Sequence, residues 1–237
     1  MDKLICIGTF LFLAACARSE DGHSAADSIA VSTKLAAATT SADSEAVADS
    51  IGSSGVPTAV ADVGTYGEDL YDAVKLSDWA KATAILDSVT TSAKTLRANE
   101  KTEIASALNI LHSAVPAHQR NTAIESANEV TRLAAAFSEA YHPKTPPDIV
   151  RLDYYGRELE IWAARGDTAR LATTRGLLEQ SWISVKSSVI SHGGTTAAAH
   201  TDALVKRLAA AHSAADYSRL ATPILDVVDE LEKPFEK

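Results

Sequence analysis

The segment His142-Pro143-Lys144-Thr145-Pro146-Pro147 limits the folds open to this chain more than any other. A proline fixes its own φ, lacks an amide proton and pushes the residue before it out of the helical region, so the segment cannot continue a helix. On both sides of it the pattern is helical. After it, Leu220, Ile224, Val227, Val228, Leu231 and Phe235 recur at steps of three and four, which lays one apolar stripe along a helix and leaves Asp226, Asp229 and Glu230 off it. Before it, Ala123, Ala127, Val130, Ala134, Phe137 and Tyr141 do the same between about 117 and 141. No stretch alternates apolar and polar residues over a strand length between turn dipeptides. The expected fold class is therefore all-α, with the proline segment at its midpoint.

Breakers divide the body from Thr65 to Lys237 into about eight helices. Ser77-Asp78 caps a run led by Trp79, Ala98-Asn99 separates two runs, and Pro116 opens the next helix near its first turn. Gly166-Asp167 and His192-Gly193-Gly194 end further helices, and a softer break near Ala215-Asp216 starts the last one. Ser77-Asp78-Trp79-Ala80-Lys81 aligns with Gly166-Asp167-Thr168-Ala169-Arg170, and each side closes on an aromatic-tipped helix, at Phe137 and at Phe235. This pattern fits two duplicated four-helix halves, 65–141 and 147–237, forming either two packed bundles or a short superhelix of hairpins. An alanine-rich helical chain also aligns with itself by composition alone. Small residues bury little area each, so the larger anchors are expected at Trp79, Trp162, Trp182 and Phe137.

The densest polar stretch runs from Asp148 to Trp162. Leu152, Tyr155, Leu159 and Trp162 form its stripe, and Asp153 and Arg157 stand one turn apart in the favourable acid-then-base order. Gly156 between them costs the helix about 1 kcal/mol relative to Ala, which points to a close neighbour there. Asp153, Arg157, Glu160 and Trp162 are the candidate residues for a binding surface or a contact between halves; the plainer reading is a solvated ion pair at a helix crossing. The stretch resembles one in uncharacterised exported bacterial proteins, a resemblance that carries no activity.

The N-terminus has a different character. An apolar run from Leu4 to Leu13 follows Lys3 and ends at Leu13-Ala14-Ala15-Cys16, the layout of an export signal with a small-residue cleavage site. These four residues resemble the lipobox of bacterial lipoproteins. The resemblance implies cleavage before Cys16, acylation of that cysteine and attachment to a membrane; Ala17, which is not Asp, implies the outer membrane of a Gram-negative host, facing the periplasm. Residues 1–15 are then the signal. Cys6 leaves with them, so no disulfide can form within the mature chain. Residues 16–64 lack aromatics, are rich in Ala, Ser and Thr and carry five of the nine net negative charges, which reads as a disordered acidic tether.

The net charge of −9 argues against nucleic acid as a partner. Catalytic signatures are missing: there is no Gly-x-Ser-x-Gly elbow, no His-Glu-x-x-His and no phosphate-binding glycine loop, and no cofactor is expected. Bundle interiors do hold metals, and histidines stand at 112, 118, 142, 192, 200 and 212. Their spacing counts against a shared site: His112 and His118 straddle Pro116, and His200 and His212 lie about 120° apart around an ideal helix. Two functions are left as expectations: a lipid-anchored scaffold or adaptor without catalytic activity that meets an envelope protein, and a periplasmic bundle that binds a metal or small ligand.

Overall fold

A computed structural model describes residues 51, 52 and 55–236. The expected signal, Cys16 and most of the expected tether lie outside these residues. Among them are eight α-helices: α1 (Thr58–Lys75), α2 (Trp79–Ala93), α3 (Ala98–Ala114), α4 (Arg120–Ser138), α5 (Pro147–Arg165), α6 (Thr168–Ser191), α7 (Thr195–Ala209) and α8 (Ala214–Glu232). All belong to one compact unit, which is all-α. Among the described residues, no helix is long and apolar enough to cross a membrane.

The helical body begins earlier than Thr65. Val56, Ala59, Val60 and Val63 are buried, so residues 58–64, read from composition as tether, form the first turns of α1. Their apolar spacing of three and four is helical, but it is hidden in a sequence whose Ala, Gly and Asp content matches the segment before it. Two further boundaries also move. Leu96 is buried in the turn ahead of α3, which starts at Ala98 instead of breaking there. Pro116 sits in the turn between α3 and α4 and does not open α4, which starts at Arg120. The last helix is capped by Ser213, whose hydroxyl accepts from the Asp216 amide while the Asp216 carboxylate accepts from the Ser213 amide.

Helix pairing is the same on both sides of the proline segment. In the first half α1 packs on α2 and α4, and α3 packs on α4; in the second, α5 packs on α6 and α8, and α7 on α8. Contact between α4 and α5 joins the halves. The correspondence holds residue by residue. Pro57 and Pro146 precede α1 and α5, and Asp78 and Asp167 cap α2 and α6, each accepting from the amide three residues on, Lys81 or Arg170. Ser77 and Gly166 both take positive φ just before these caps. A Cβ on Gly67 would meet Val130 and Thr131 of α4, and one on Gly156 would meet Ile224 and Leu225 of α8. Both α4 and α8 end in a 3-10 turn, Glu139–Tyr141 and Lys233–Phe235. The counterpart of Phe235 is thus Tyr141, and Phe137 corresponds to buried Leu231.

The anchors divide. Trp162, Trp182 and Phe137 are buried, whereas Trp79 is half-buried and stacks on the His118 ring at 4.7 Å between centroids. Every residue of the α8 stripe is buried, from Leu220 to Phe235. At the midpoint, His142 turns the chain with φ 51°, and Arg151 bridges Glu139 before the turn to Asp148 after it.

Close helix approach at Gly67 sets a testable asymmetry between glycines. An added Cβ there would stand 3.0 Å from both Val130 Cγ1 and Thr131 Oγ1 and 3.2 Å from a backbone nitrogen, while Gly176 of α6 has nothing within 4 Å. Gly67→Ala is expected to destabilise by about 1–2 kcal/mol, overpacking outweighing the helix-propensity gain. Gly176→Ala should stabilise by about 1 kcal/mol. Urea unfolding of the two variants checks this, and equal stabilisation would contradict the packing.

Candidate functional site

The residues singled out in α5 fall on two faces of that helix. Asp153, Arg157 and Glu160 follow one another at steps of four and three and share a face, whereas Trp162 points elsewhere. Arg157 and Glu160 meet α1, and Asp153 pairs with Arg157. Glu160 accepts from the Tyr71 hydroxyl at 2.9 Å and from Lys75 Nζ at 2.6 Å, and Arg157 lies 3.8 Å from Glu68 and 5.3 Å from the centre of the Tyr71 ring. These partners occupy equivalent positions in the two halves, Glu68 with Arg157 and Tyr71 with Glu160. Long side chains of α1 and α5 therefore meet across a seam at matching positions, in the same order along the two helices.

The expected solvated ion pair of Asp153 and Arg157 is buried instead: the Arg157 side chain is 9% exposed and that of Asp153 is 15%. Gly156 is close to α8, where a Cβ would stand 2.6 Å from Leu225 Cδ2. On the other face of α5, the Trp162 indole donates to Glu158 at 2.8 Å and lies under the Arg170 guanidinium at 4.0 Å. It lines a hollow of about 300 Å³ with Ile110 of α3 and Glu129 of α4, so it too touches the first half. Asn128 of α4 ties the halves again by donating to the Tyr154 carbonyl at 3.2 Å.

Carboxylates crowd one part of the seam. Glu68 of α1 and Glu232 of α8 line a largely apolar cavity of about 260 Å³, and Arg157 is the cation beside Glu68 and Asp153. Burial first, then the neighbouring Asp153, pushes Glu68 up from the ordinary carboxylate range; Asp153 is pushed up by burial against the opposing pull of Arg157. Burial, followed by Asp153, Asp229 and Glu236, pushes Glu232 up to about 7. Burial and the Glu160 charge hold the Tyr71 phenol far above its ordinary range, so it remains a donor. Among the described residues, no group of three or more His, Cys, Asp or Glu side chains is arranged to hold a metal. Of the histidines, His112 meets the Thr90 hydroxyl, His192 meets the Ser188 carbonyl and the Phe235 ring, and His200 lies 3.6 Å from Glu230.

At the opposite end of the seam, where α1 and α5 end and α4 and α8 begin, lies a concavity of about 690 Å³. Its residues again come in equivalent pairs: Tyr71 with Glu160, Lys75 with Ala164, Arg120 with Ala214, Asn121 with Ala215 and Ile124 with Ser218. At three of these pairs the first half contributes Lys75, Arg120 or Asn121 and the second contributes alanine, while Glu160 and Arg165 add charge from the second half. Sequence reading missed Glu68, Tyr71, Lys75, Arg120 and Glu232, because their roles depend on which helices become neighbours. The signal available was the repeat itself, which aligns Glu68 and Tyr71 with Arg157 and Glu160. Comparison of the chain with protein-family models, with curated proteins and with solved structures found no match.

The acid cluster sets the sign of a pH effect. A carboxyl whose pKa is higher folded than unfolded binds its proton more tightly in the fold, so the stability it adds is present at low pH and is lost as pH rises through its folded value. Stability should therefore fall as pH rises through about 7, where Glu232 ionises. Arg157→Leu leaves Asp153 and Glu68 without their cation and should cost about 3 kcal/mol at pH 8, with less than half of that at pH 5. Urea unfolding across this range measures both; a loss independent of pH would contradict the shared guanidinium.

Proposed function

We propose that the chain is a lipid-anchored, non-catalytic interaction module of the cell envelope, a scaffold or adaptor held through an acyl group on Cys16 at the outer membrane and facing the periplasm. Support for the anchor comes from Leu13-Ala14-Ala15-Cys16 after an apolar run. Support for binding comes from one observation, the groove of about 690 Å³ whose walls are drawn from both halves. Asp153 and Arg157 are too deeply buried to meet a partner directly. Their part in this reading is to hold the halves so that the groove keeps its shape, while Glu160 reaches its wall. The partner surface accordingly shifts from the Asp153–Trp162 stretch to the groove. The volume of the groove favours a second reading, capture of a small ligand in the same place, because pockets for such molecules run from roughly 300 to 1,000 Å³.

Labelling cells with a palmitate analogue tests the anchor: the parent chain should take up label and partition with the outer membrane, and Cys16→Ala should do neither. Replacing Ser218 in the groove with a photo-crosslinking residue in the same cells should give a discrete adduct with an envelope protein. An unlabelled parent chain, or a crosslinked chain without any adduct, contradicts the proposal.

A further inference from the structure

We infer that the groove at the seam is a binding site for a small organic anion with an apolar body, a carboxylate or a phosphate ester, gripped by Arg120. From the reading above the inference takes only that the groove is a contact surface; it adds the chemistry of what enters.

The charge in the groove is the reverse of that in the chain. Acids outnumber bases overall, 31 against 22, yet Lys75, Arg120 and Arg165 face this concavity with Glu160 as the only acid on its walls. That acid is already neutralised: it is bonded to Lys75 and Tyr71, and only 17% of its side chain is exposed. The three cations come from three helices, α1, α4 and α5, and from both halves, so their convergence results from the fold and not from one basic run in the sequence.

The cations differ in how fully they are engaged. Lys75 holds Glu160, and Arg165 pairs with Glu125, donates to the Asn121 carbonyl and lies 5.1 Å from the Trp162 ring centre. Arg120 is exposed, and among the described residues the one hydrogen bond of its side chain is from Nη2 to the Lys75 carbonyl at 3.1 Å. A guanidinium has five N–H donors in a planar fork that matches carboxylate and phosphate oxygens in pairs. Arg120 thus keeps most of its fork for a ligand, with its position fixed by the end of α1.

Other residues of the groove specify the rest of the ligand. Positions equivalent to Lys75, Arg120 and Asn121 are Ala164, Ala214 and Ala215, so α5 and α8 add small apolar side chains to the groove beside Arg165. Ser218 and Thr222 on α8 add two hydroxyls. A bare inorganic anion would leave the alanines wet and most of the volume empty. An aromatic or alkyl acid fills both, its head on Arg120 and its body on α5 and α8.

Calorimetry on the full-length lipidated protein in phosphatidylcholine nanodiscs, with empty nanodiscs as the blank, tests this with 2-naphthoate, 1-naphthyl phosphate and uncharged 2-naphthamide as probes. At least one of the two anions should bind saturably, one per chain, and the comparison between them tells carboxylate from phosphate. The amide should bind about tenfold more weakly or worse. Arg120→Gln should weaken the anion about tenfold, as loss of a charge-assisted pair requires, and Lys101→Gln on α3 should leave it unchanged. Ser218→Trp, which fills the groove from α8, should abolish binding with the helical circular dichroism intact. The inference is overturned by no saturable anion binding, by an amide that binds as tightly, or by an Arg120→Gln protein that is folded and binds normally. An envelope crosslink at Ser218 without anion binding would overturn this inference alone, whereas anion binding without a crosslink would overturn only the protein-partner reading.

Discussion

The guanidinium of Arg157 stands where α5 meets α1, and the arrangement around it depends on its charge. It is buried between α5 and α1 with Asp153 and Glu68 as its acids and the Tyr71 ring beside it. Removing charges from water is expensive and is offset only where partners are close. Here the acids exceed the cation, so the carboxylates resist ionisation and the seam is more stable where part of the cluster holds protons. A structural ion pair that balanced its own charge would leave no such dependence on pH.

The repeat explains why these particular residues meet. Each half solves the same packing problem in the same way: a glycine in its first helix lets its last helix approach, at Gly67 with Val130 and Thr131, and at Gly156 with Ile224 and Leu225. Because long side chains of α1 and α5 meet at matching positions, identical charged residues there would place like charges in contact. The chain instead carries complementary pairs, Glu68 with Arg157 and Tyr71 with Glu160. The same difference between matching positions shapes the groove, where one half has Lys75, Arg120 and Asn121 and the other has alanine at those positions. Matching helix pairing with unlike side chains at equivalent positions makes the site directional.

Much of the fold is legible in the residues. Helical period in α8, the cap at Asp78, the break at Gly166-Asp167 and the proline segment fix the number and class of elements, since each acts within a turn or two of itself. The α1 start was not legible, because Val56, Val60 and Val63 are embedded in a composition shared with the segment before them. Within the candidate site, Asp153, Arg157 and Glu160 were found by their density in one stretch, and their grouping with Trp162 was corrected by the helical period that places it on another face. Their partners on α1 and α8 could not be found this way, since nothing local to Glu68 or Glu232 says which helix will lie beside it.

If the buried seam binds the halves as argued, they should open together. Native-state hydrogen exchange in rising urea tests this most directly, comparing core amides of α1, near Leu70, with those of α5, near Leu159. The account predicts that both sets merge into one opening reaction with the same free energy and the same urea dependence. Exchange of α1–α4 through a separate, lower-energy opening while α5–α8 stay protected would show that the Arg157 seam does not hold the molecule together.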